Sequence, residues 1–419
     1  MQKVAAPAIL GGGEETAVLK KISTRDLKPG MYVVDMGLSW LENPYLYSQV
    51  GLVGSESDVL RVQREGFLEV FVDTRRSLGG DGTDGLSDEE AISAELARDL
   101  GDDDPLAPTV PLAEEMPQAR ALYDDSVGFA RKAMDVMRKD GFVDVQTALP
   151  MVEGILSSVT RNANALLGLS KLRAVDEYTY THCINVAVLA VVFGRHLGFG
   201  DITLSRVGLA GLFHDLGKAR VPDSILNSPR RLTPDEFSIM KRHPELGWEQ
   251  VRDNAEVYDE VLAGMLEHHE KYNGLGYPRG LKGEEISIIA RILSVVDVYD
   301  ALTSRRVYKA AMLPHKALGL MYGMRGQDFH PGFVERFIRC LGIYPVGSVV
   351  ELNTGQRGVV SKANAREPLL PEVMVVRDPK GRPSAPRRLD LSGQTAVKVV
   401  ACLDPRDAGI DPGQVLGTS

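Results

Sequence analysis

Two periodicities of apolar residues divide this chain into three stretches. Near the start the period is two. Gly30-Met31-Tyr32-Val33-Val34 follows a Pro29-Gly30 turn, and Leu68-Glu69-Val70-Phe71-Val72 alternates apolar with polar residues, so both predict strands. Asp58–Glu65 lies between them with helical spacing, and the three segments predict a small α+β module over Lys20 to Arg76. From Glu114 to Cys340 the apolar spacing becomes helical. Leu122, Val127, Ala130, Met134 and Met137 recur on one face, as do Met151, Ile155 and Val159. Ile184–Leu197, Pro234–Val251, Val257–Tyr272 and Ile286–Leu302 predict further helices, several apolar enough to be core.

Strands return after Pro345. Val349–Leu352, Gly358–Val360, Val373–Val376 and Ala396–Val400 are short and rich in β-branched residues. Turns such as Asn353-Thr354-Gly355 and Pro379-Lys380-Gly381 separate them. No repeat of solenoid period is present. The predicted organisation is multidomain: a small α+β N-terminal regulatory module over 1–78, a linker over 79–112, an all-helical domain over 113–343, and a small β module with a C-terminal tail over 344–419.

Composition narrows this only slightly. A chain of 419 residues that is 44% hydrophobic can build several true cores, which excludes general disorder and a collagenous chain. The longest apolar run, Cys183 to Phe193, is too short to span a bilayer. Val4–Leu10 is too brief for a signal-peptide core and runs into Gly11 and Glu14. The 3 cysteines are far apart, which disfavours disulfides and a thiolate zinc site. A cytoplasmic protein is expected.

The formal charge of −9 argues at first against an anionic ligand. Its location removes that argument. Between Gly79 and Pro105 lie Asp81, Asp84, Asp88, Glu89, Glu90, Glu95, Asp99, Asp102, Asp103 and Asp104, against the single base Arg98. That segment holds the whole acidic excess and predicts a solvated connector.

The 8 histidines all fall in the helical region. His214-Asp215 begins the string His214-Asp215-Leu216-Gly217-Lys218, and His268-His269 runs into Glu270-Lys271-Tyr272-Asn273-Gly274-Leu275-Gly276-Tyr277-Pro278. His182 and His243 stand singly on predicted helices, and Asp297 sits in an apolar run broken only by Arg291 and Ser294. Imidazole with carboxylate suits divalent iron, manganese, nickel or zinc. Successive side chains on a helix diverge by about 100°, so His-Asp and His-His pairs can embrace ions only at a helix end or distortion. Singly, His182 and His243 read as hydrogen-bonded core residues, and Asp297 as an acid paired with Arg291 or Arg305. Two adjacent polar pairs in apolar helices favour a metal cluster instead. His196, His315 and His330 lack neighbours of ligand type. Lys218 would share the face of His214 if the helix continued.

These strings resemble the HD-GYP subfamily of HD-domain phosphohydrolases. The likeness extends through Arg279–Ile286 and Asp297-Val298-Tyr299-Asp300-Ala301-Leu302-Thr303, covering Asp176 to Phe337. The front module resembles a domain of unknown function often found ahead of HD-GYP domains. The resemblance implies an all-α HD-type helical bundle as the catalytic domain, with two or three metal ions. It implies hydrolysis of cyclic di-GMP, a bacterial second messenger, to linear pGpG and often on to GMP. Carried over by motif, His182, His214, Asp215, His243, His268, His269 and Asp297 would be metal ligands, with Asp215 bridging. Lys218, Tyr277, Arg306 and Lys309 would contact substrate phosphate. Members with three ions place a glutamate where this chain has Tyr178; Glu177 is one residue off, a turn of about 100° on a helix. Two ions are therefore expected. Asn273 replaces a common acid, and Phe329-His330-Pro331 replaces a Phe-Asp-Pro segment.

The mechanism implied is attack of a metal-bridging hydroxide on phosphorus, with Asp215 and Lys218 as the catalytic residues. A second reading is a cyclic di-GMP-binding module of slow or no turnover that relays occupancy to a protein partner. A third, the same scaffold acting on another nucleotide or as a di-iron oxygenase, leaves the Gly-Tyr-Pro block unexplained. Basic residues are too dispersed for a nucleic acid polymer. A homodimer and a signalling partner are both compatible with the appended modules.

Overall fold

The fold is that of a computed structural model, which describes residues 19–34, 46–47, 49–64, 67–74, 77, 105–140, 145–170, 178–228, 230, 232–254, 257–304, 311–393 and 396–417. The chain divides into two compact units, Met1–Gly37 with Tyr45–Ile92, and Leu38–Pro44 with Ser93–Ser419. The acidic stretch from Asp81 to Asp104 lies outside the described residues.

In the first unit the strands β1 (Leu19–Ser23), β2 (Tyr32–Val33), β3 (Leu46–Tyr47), β4 (Gly51–Leu52) and β5 (Glu69–Asp73) form one sheet beside helix α1 (Glu56–Arg64). β5 is its spine. It pairs antiparallel with β1 and β2 and parallel with β3. Val59 and Val62 of α1 join Val33, Val70 and Val72 in the core, the outcome expected of a half-buried alternating strand beside an amphipathic helix. A buried ion pair, Lys21 Nζ to Glu69 at 3.0 Å, ties β1 to β5.

The second unit opens with two long helices, α2 (Leu112–Asp140) and α3 (Leu149–Ser170). α3 is kinked at Asn162 (φ −162°, ψ 97°). Asn162 Nδ2 donates to Val110 O at 2.9 Å, and Thr109 N donates to Arg161 O at 2.9 Å, so residues 109–110 occupy the gap in the helical ladder. α4 (Tyr178–His196) contains the apolar run and is buried from Thr181 to Gly194. It is the central helix, and no helix among the described residues is long and apolar enough to cross a membrane. α5 (Asp201–Phe213) packs on it, followed by a 3₁₀ turn (Leu216–Arg220) and α6 (Asp223–Leu226).

The helix expected over Pro234–Val251 is in fact two, α7 (Pro234–Met240) and α8 (His243–Val251). Pro244 is the cause: it donates no N–H to Met240 O, and its ring excludes that carbonyl. The helix expected over Val257–Tyr272 is shorter, α9 (Asp259–Glu267). α10 (Ile288–Thr303), capped by Ser287, packs against α4 and α9, and α11 (Pro314–Tyr322) and α12 (Phe333–Leu341) complete the helical part.

The last sheet has the order β10-β6-β7-β8-β9, all antiparallel, from β6 (Val349–Leu352), β7 (Arg357–Lys362), β8 (Glu372–Arg377), β9 (Pro383–Asp390) and β10 (Val399–Leu403). β9 was not expected. It is an edge strand exposed on both faces, so it lacks alternation, and an edge position tolerates Pro383 and Pro386. The strand expected over Ala396–Val400 begins later, at Val399. A helical domain in the middle of the chain with sheet-rich ends is therefore the architecture.

Candidate metal centre

Three helices end at one place, and each end delivers a histidine. His214 caps the C-terminus of α5, His268 caps that of α9, and His243 follows α7 as the first residue of α8. The last carbonyls of a helix have no partner within it. Here His214 Nδ1 meets Gly211 O at 2.7 Å, His243 Nδ1 meets Met240 O at 2.9 Å, and His268 Nδ1 meets Met265 O at 2.7 Å. A carbonyl only accepts, so each Nδ1 carries the proton and each Nε2 is left with a bare lone pair. The break at Pro244 thus has a use: Met240 O, released from the ladder, fixes the tautomer of His243. Helix C-termini carry partial negative charge, which favours a cation at this place.

His182 arrives differently, from the second turn of α4. Its Nδ1 lies 2.8 Å from Asp300 Oδ2 on α10, which turns Nε2 toward the cluster. One turn earlier on α10, Asp297 Oδ1 stands 3.1 Å from that Nε2.

Asp215 lies at the centre, in the short turn between α5 and the 3₁₀ segment. Its two oxygens face different histidines. Oδ2 is 3.6 Å from His182 Nε2 and 3.3 Å from His214 Nε2, while Oδ1 is 3.3 Å from His243 Nε2 and 4.0 Å from His268 Nε2. The ring of His269 is 4.1 Å from that of His268 and 5.0 Å from that of His243. All seven residues expected as ligands are brought together. They form three overlapping groups able to hold an ion: Asp215 with His243, His268 and His269; His182 with His214 and Asp215; His214 with His268 and Asp297.

The donor set fits divalent cations. His214 Nε2 and Asp215 Oδ1 are buried without a hydrogen-bond partner, and such orphans are costly unless something positive completes them. Three of the histidines are held neutral, while His182 goes the other way: burial lowers it, but its hydrogen bonds to Asp297 and Asp300 outweigh that and raise it to about 10. Burial holds His243 below its ordinary value; burial, then His214 and His243, holds His268 at about 3; burial, then His268, holds His269 well below. Burial works against the Asp215 charge, but His214 and Lys218 overcome it and the carboxyl falls well below its usual range. Asp297 is lowered too, where burial is outweighed by the hydrogen bond from His182. Neutral imidazole and ionised carboxylate are the forms that bind metal.

An HD-domain model matches residues 157–332, a domain of unknown function (DUF3391) matches 19–148, and a KOW domain associated with HD domains matches 349–409. A cyclic di-GMP phosphodiesterase of Pseudomonas aeruginosa is 36% identical over 384 residues, which cover 90% of this chain and 91% of that protein. This chain belongs to the HD-GYP family. A cyclic di-GMP phosphodiesterase response regulator of Xanthomonas campestris is 37% identical over 200 residues, 46% of this chain and 53% of its own. A 3'3'-cGAMP-specific phosphodiesterase of Vibrio cholerae is 32% identical over 191 residues, 45% of this chain and 40% of its own.

The HD-GYP motifs have visible structural reasons here. A Cβ on Gly217 would overlap His243 O and Gly247 N, so only glycine lets the Asp215 turn lie against α8. A Cβ on Gly276 would overlap the backbone of Glu270 and Lys271, so the Gly-Tyr-Pro loop folds back on the His268-His269-Glu270 turn. Buried Glu270 fixes that loop: Oε1 accepts from Arg279 N at 2.7 Å and Oε2 from Leu281 N at 3.0 Å. The Tyr277 ring then lies 4.8 Å from that of His269. α5 stops at Phe213, so Lys218 does not share a helical face with His214. It reaches the site from the 3₁₀ turn, with Nζ 2.6 Å from Asp215 Oδ2.

Arg306, Lys309 and Glu177 lie outside the described residues, as does the side chain of Tyr178. Arg291 pairs with Glu284, not with Asp297. His330 also meets Glu284, at 3.0 Å and away from the cluster. Asn273 Oδ1 accepts from Leu275 N at 2.9 Å within the loop. Asp300 and Asn185, both in the cluster's wall, were missed by sequence reasoning. The available sign was spacing, since each lies three residues after a ligand candidate, Asp297 and His182.

Proposed function

We propose that this HD-GYP protein is a metal-dependent phosphodiesterase that opens cyclic di-GMP to linear pGpG. The observation that carries the reading is the convergence of four imidazole Nε2 atoms on the two oxygens of Asp215. His182, His214, Asp215, His243, His268, His269 and Asp297 would hold two divalent ions of iron, manganese or nickel. Support for bridging by Asp215 comes from its oxygens, which face separate histidine pairs. Bound ions of this kind lower the pKa of a coordinated water and polarise phosphoryl oxygens.

The chain's own groups then orient the substrate. Lys218, 2.6 Å from Asp215 Oδ2, is placed to stabilise charge that grows on the non-bridging phosphate oxygens. Tyr277, half-buried beside His269, offers its ring and hydroxyl to the nucleotide. Arg306 and Lys309 are assigned to the second phosphate by the family motif. Tyr178 in place of a further acidic ligand makes pGpG, rather than GMP, the expected main product. The sheet-bearing ends of the chain would receive a signal or a protein partner.

The test is anaerobically purified protein with Mn(II) or Fe(II), given cyclic di-GMP and 3'3'-cGAMP in parallel, with products identified by chromatography. Metal-dependent release of pGpG is expected. No cleavage of cyclic di-GMP with either ion sinks the reading, and faster cleavage of 3'3'-cGAMP reassigns the substrate.

A further inference from the structure

His182 is the one Nδ1-anchored histidine of the cluster whose anchor is not a helix-end carbonyl. It sits inside α4, where the upstream carbonyls serve the helical ladder, so its Nδ1–H needs a partner from another element. Asp300 supplies it. Asp297 and Asp300 are one turn apart on α10 and bracket the same imidazole, Asp297 toward Nε2 at 3.1 Å and Asp300 on Nδ1 at 2.8 Å.

Asp300 is itself held. Its Oδ1 accepts from Asn185 Nδ2 at 3.0 Å. A carboxylate cannot donate, so the amide orientation of Asn185 is fixed, and its Oδ1 must face the other way. There it accepts from the hydroxyl of Tyr123 at 2.6 Å. Asn185 Nδ2 also reaches Ser170 O at 3.2 Å, at the end of α3. All four side chains in the sequence Tyr123, Asn185, Asp300, His182 are buried, each less than 5% exposed.

We propose that Asp300 is the positioning residue for His182, and that Tyr123, acting through Asn185, makes α2 part of the metal site. The inference rests on the metal reading above and adds to it a defined tautomer, a defined ring plane and a route into the cluster. Carboxylates behind metal-binding imidazoles fix ring orientation and raise ligand basicity. The route begins on α2, and the front-domain family match at 19–148 runs through the whole of α2. A shift of α2 would therefore be felt at His182 through three hydrogen bonds.

The experiment uses the full chain, stripped of metal and titrated anaerobically with Co(II), reading affinity and the visible d–d spectrum. Asp300→Asn keeps the shape, but its single oxygen cannot accept from both His182 and Asn185. It is expected to bind Co(II) about 10- to 100-fold more weakly with a changed spectrum and an unchanged near-UV circular dichroism. Tyr123→Phe is expected to weaken Co(II) severalfold, and the double variant to be no weaker than Asp300→Asn. That non-additivity is what a merely structural role would not give. Wild-type affinity and spectrum in Asp300→Asn, or in Tyr123→Phe should Asp300→Asn fail to fold, overturn the inference alone. Wild type that takes up no Co(II) overturns the metal reading and this inference with it.

Discussion

His243 Nε2 stands 3.3 Å from His268 Nε2, and neither atom has a proton to share. Both rings spend their Nδ1–H on carbonyls, at 2.9 and 2.7 Å, and burial keeps both neutral. Two lone pairs facing each other repel, and a cation between them turns repulsion into ligation. Metal loading should therefore stabilise the helical domain. With free Mn(II) at a hundred times its Kd, the linkage is about 2.7 kcal/mol. Thermal unfolding with Mn(II) and with chelator measures it. Identical midpoints would show that the cluster is a packed polar core and nothing more.

The Lys218–Asp215 contact makes a separable claim. Lys218 is 26% exposed and sits at the rim of the site, whereas the ligand candidates converge below it. Lys218→Met should leave metal content intact and lower kcat by about 10²- to 10³-fold, the cost of one transition-state donor. Metal analysis beside steady-state hydrolysis checks this. Loss of metal in the variant would assign Lys218 to neutralising Asp215 instead.

Those two cases bear on how much was legible beforehand. The ligand set could be read because polar pairs such as His214-Asp215 and His268-His269 stand out in apolar helices, and because a motif with its own spacing accompanies them. The helical middle and sheet-rich ends were legible from periodicity alone. The break at Met240 was not read, although Pro244 was visible, because Pro234–Val251 keeps helical spacing across it. The edge strand β9 was hidden since neither face is buried. Asp300 and Asn185 were hidden for a different reason: their partners come from other helices, and spacing cannot tell which buried polar groups will meet.

Glu270 provides a test of the Gly-Tyr-Pro loop. Its two oxygens accept from Arg279 N and Leu281 N, while burial raises its pKa against those bonds. Glu270→Gln replaces one oxygen by an amide nitrogen, so one backbone N–H loses its acceptor. The local cost is about 1–3 kcal/mol, concentrated on the loop that carries Tyr277. A rise in KM larger than the fall in kcat is expected, with metal affinity near that of wild type. An equal fall in kcat and metal content would place Glu270 under His269 rather than under the loop.

A histidine outside the cluster gives the chain a separate acid sensitivity. His315 lies in the first turn of α11, with its ring 6.4 Å from that of Tyr344. Burial, then Lys316, lowers its pKa to about 4, and a helix N-terminus also disfavours positive charge. An unfolded histidine titrates near 6.5. Below that pH the unfolded chain takes up a proton that the folded chain refuses, so stability falls as pH drops from 6.5 toward 4. Below the folded value both states are protonated and the effect levels off. His243, His268 and His269 are lowered as well, so a single curve cannot isolate the group. The difference between wild type and His315→Gln can. Urea unfolding of both proteins at pH 7, 5.5 and 4, in chelator, should give a shallower decline for the variant. Parallel declines would place the acid sensitivity elsewhere, in His243, His268 and His269.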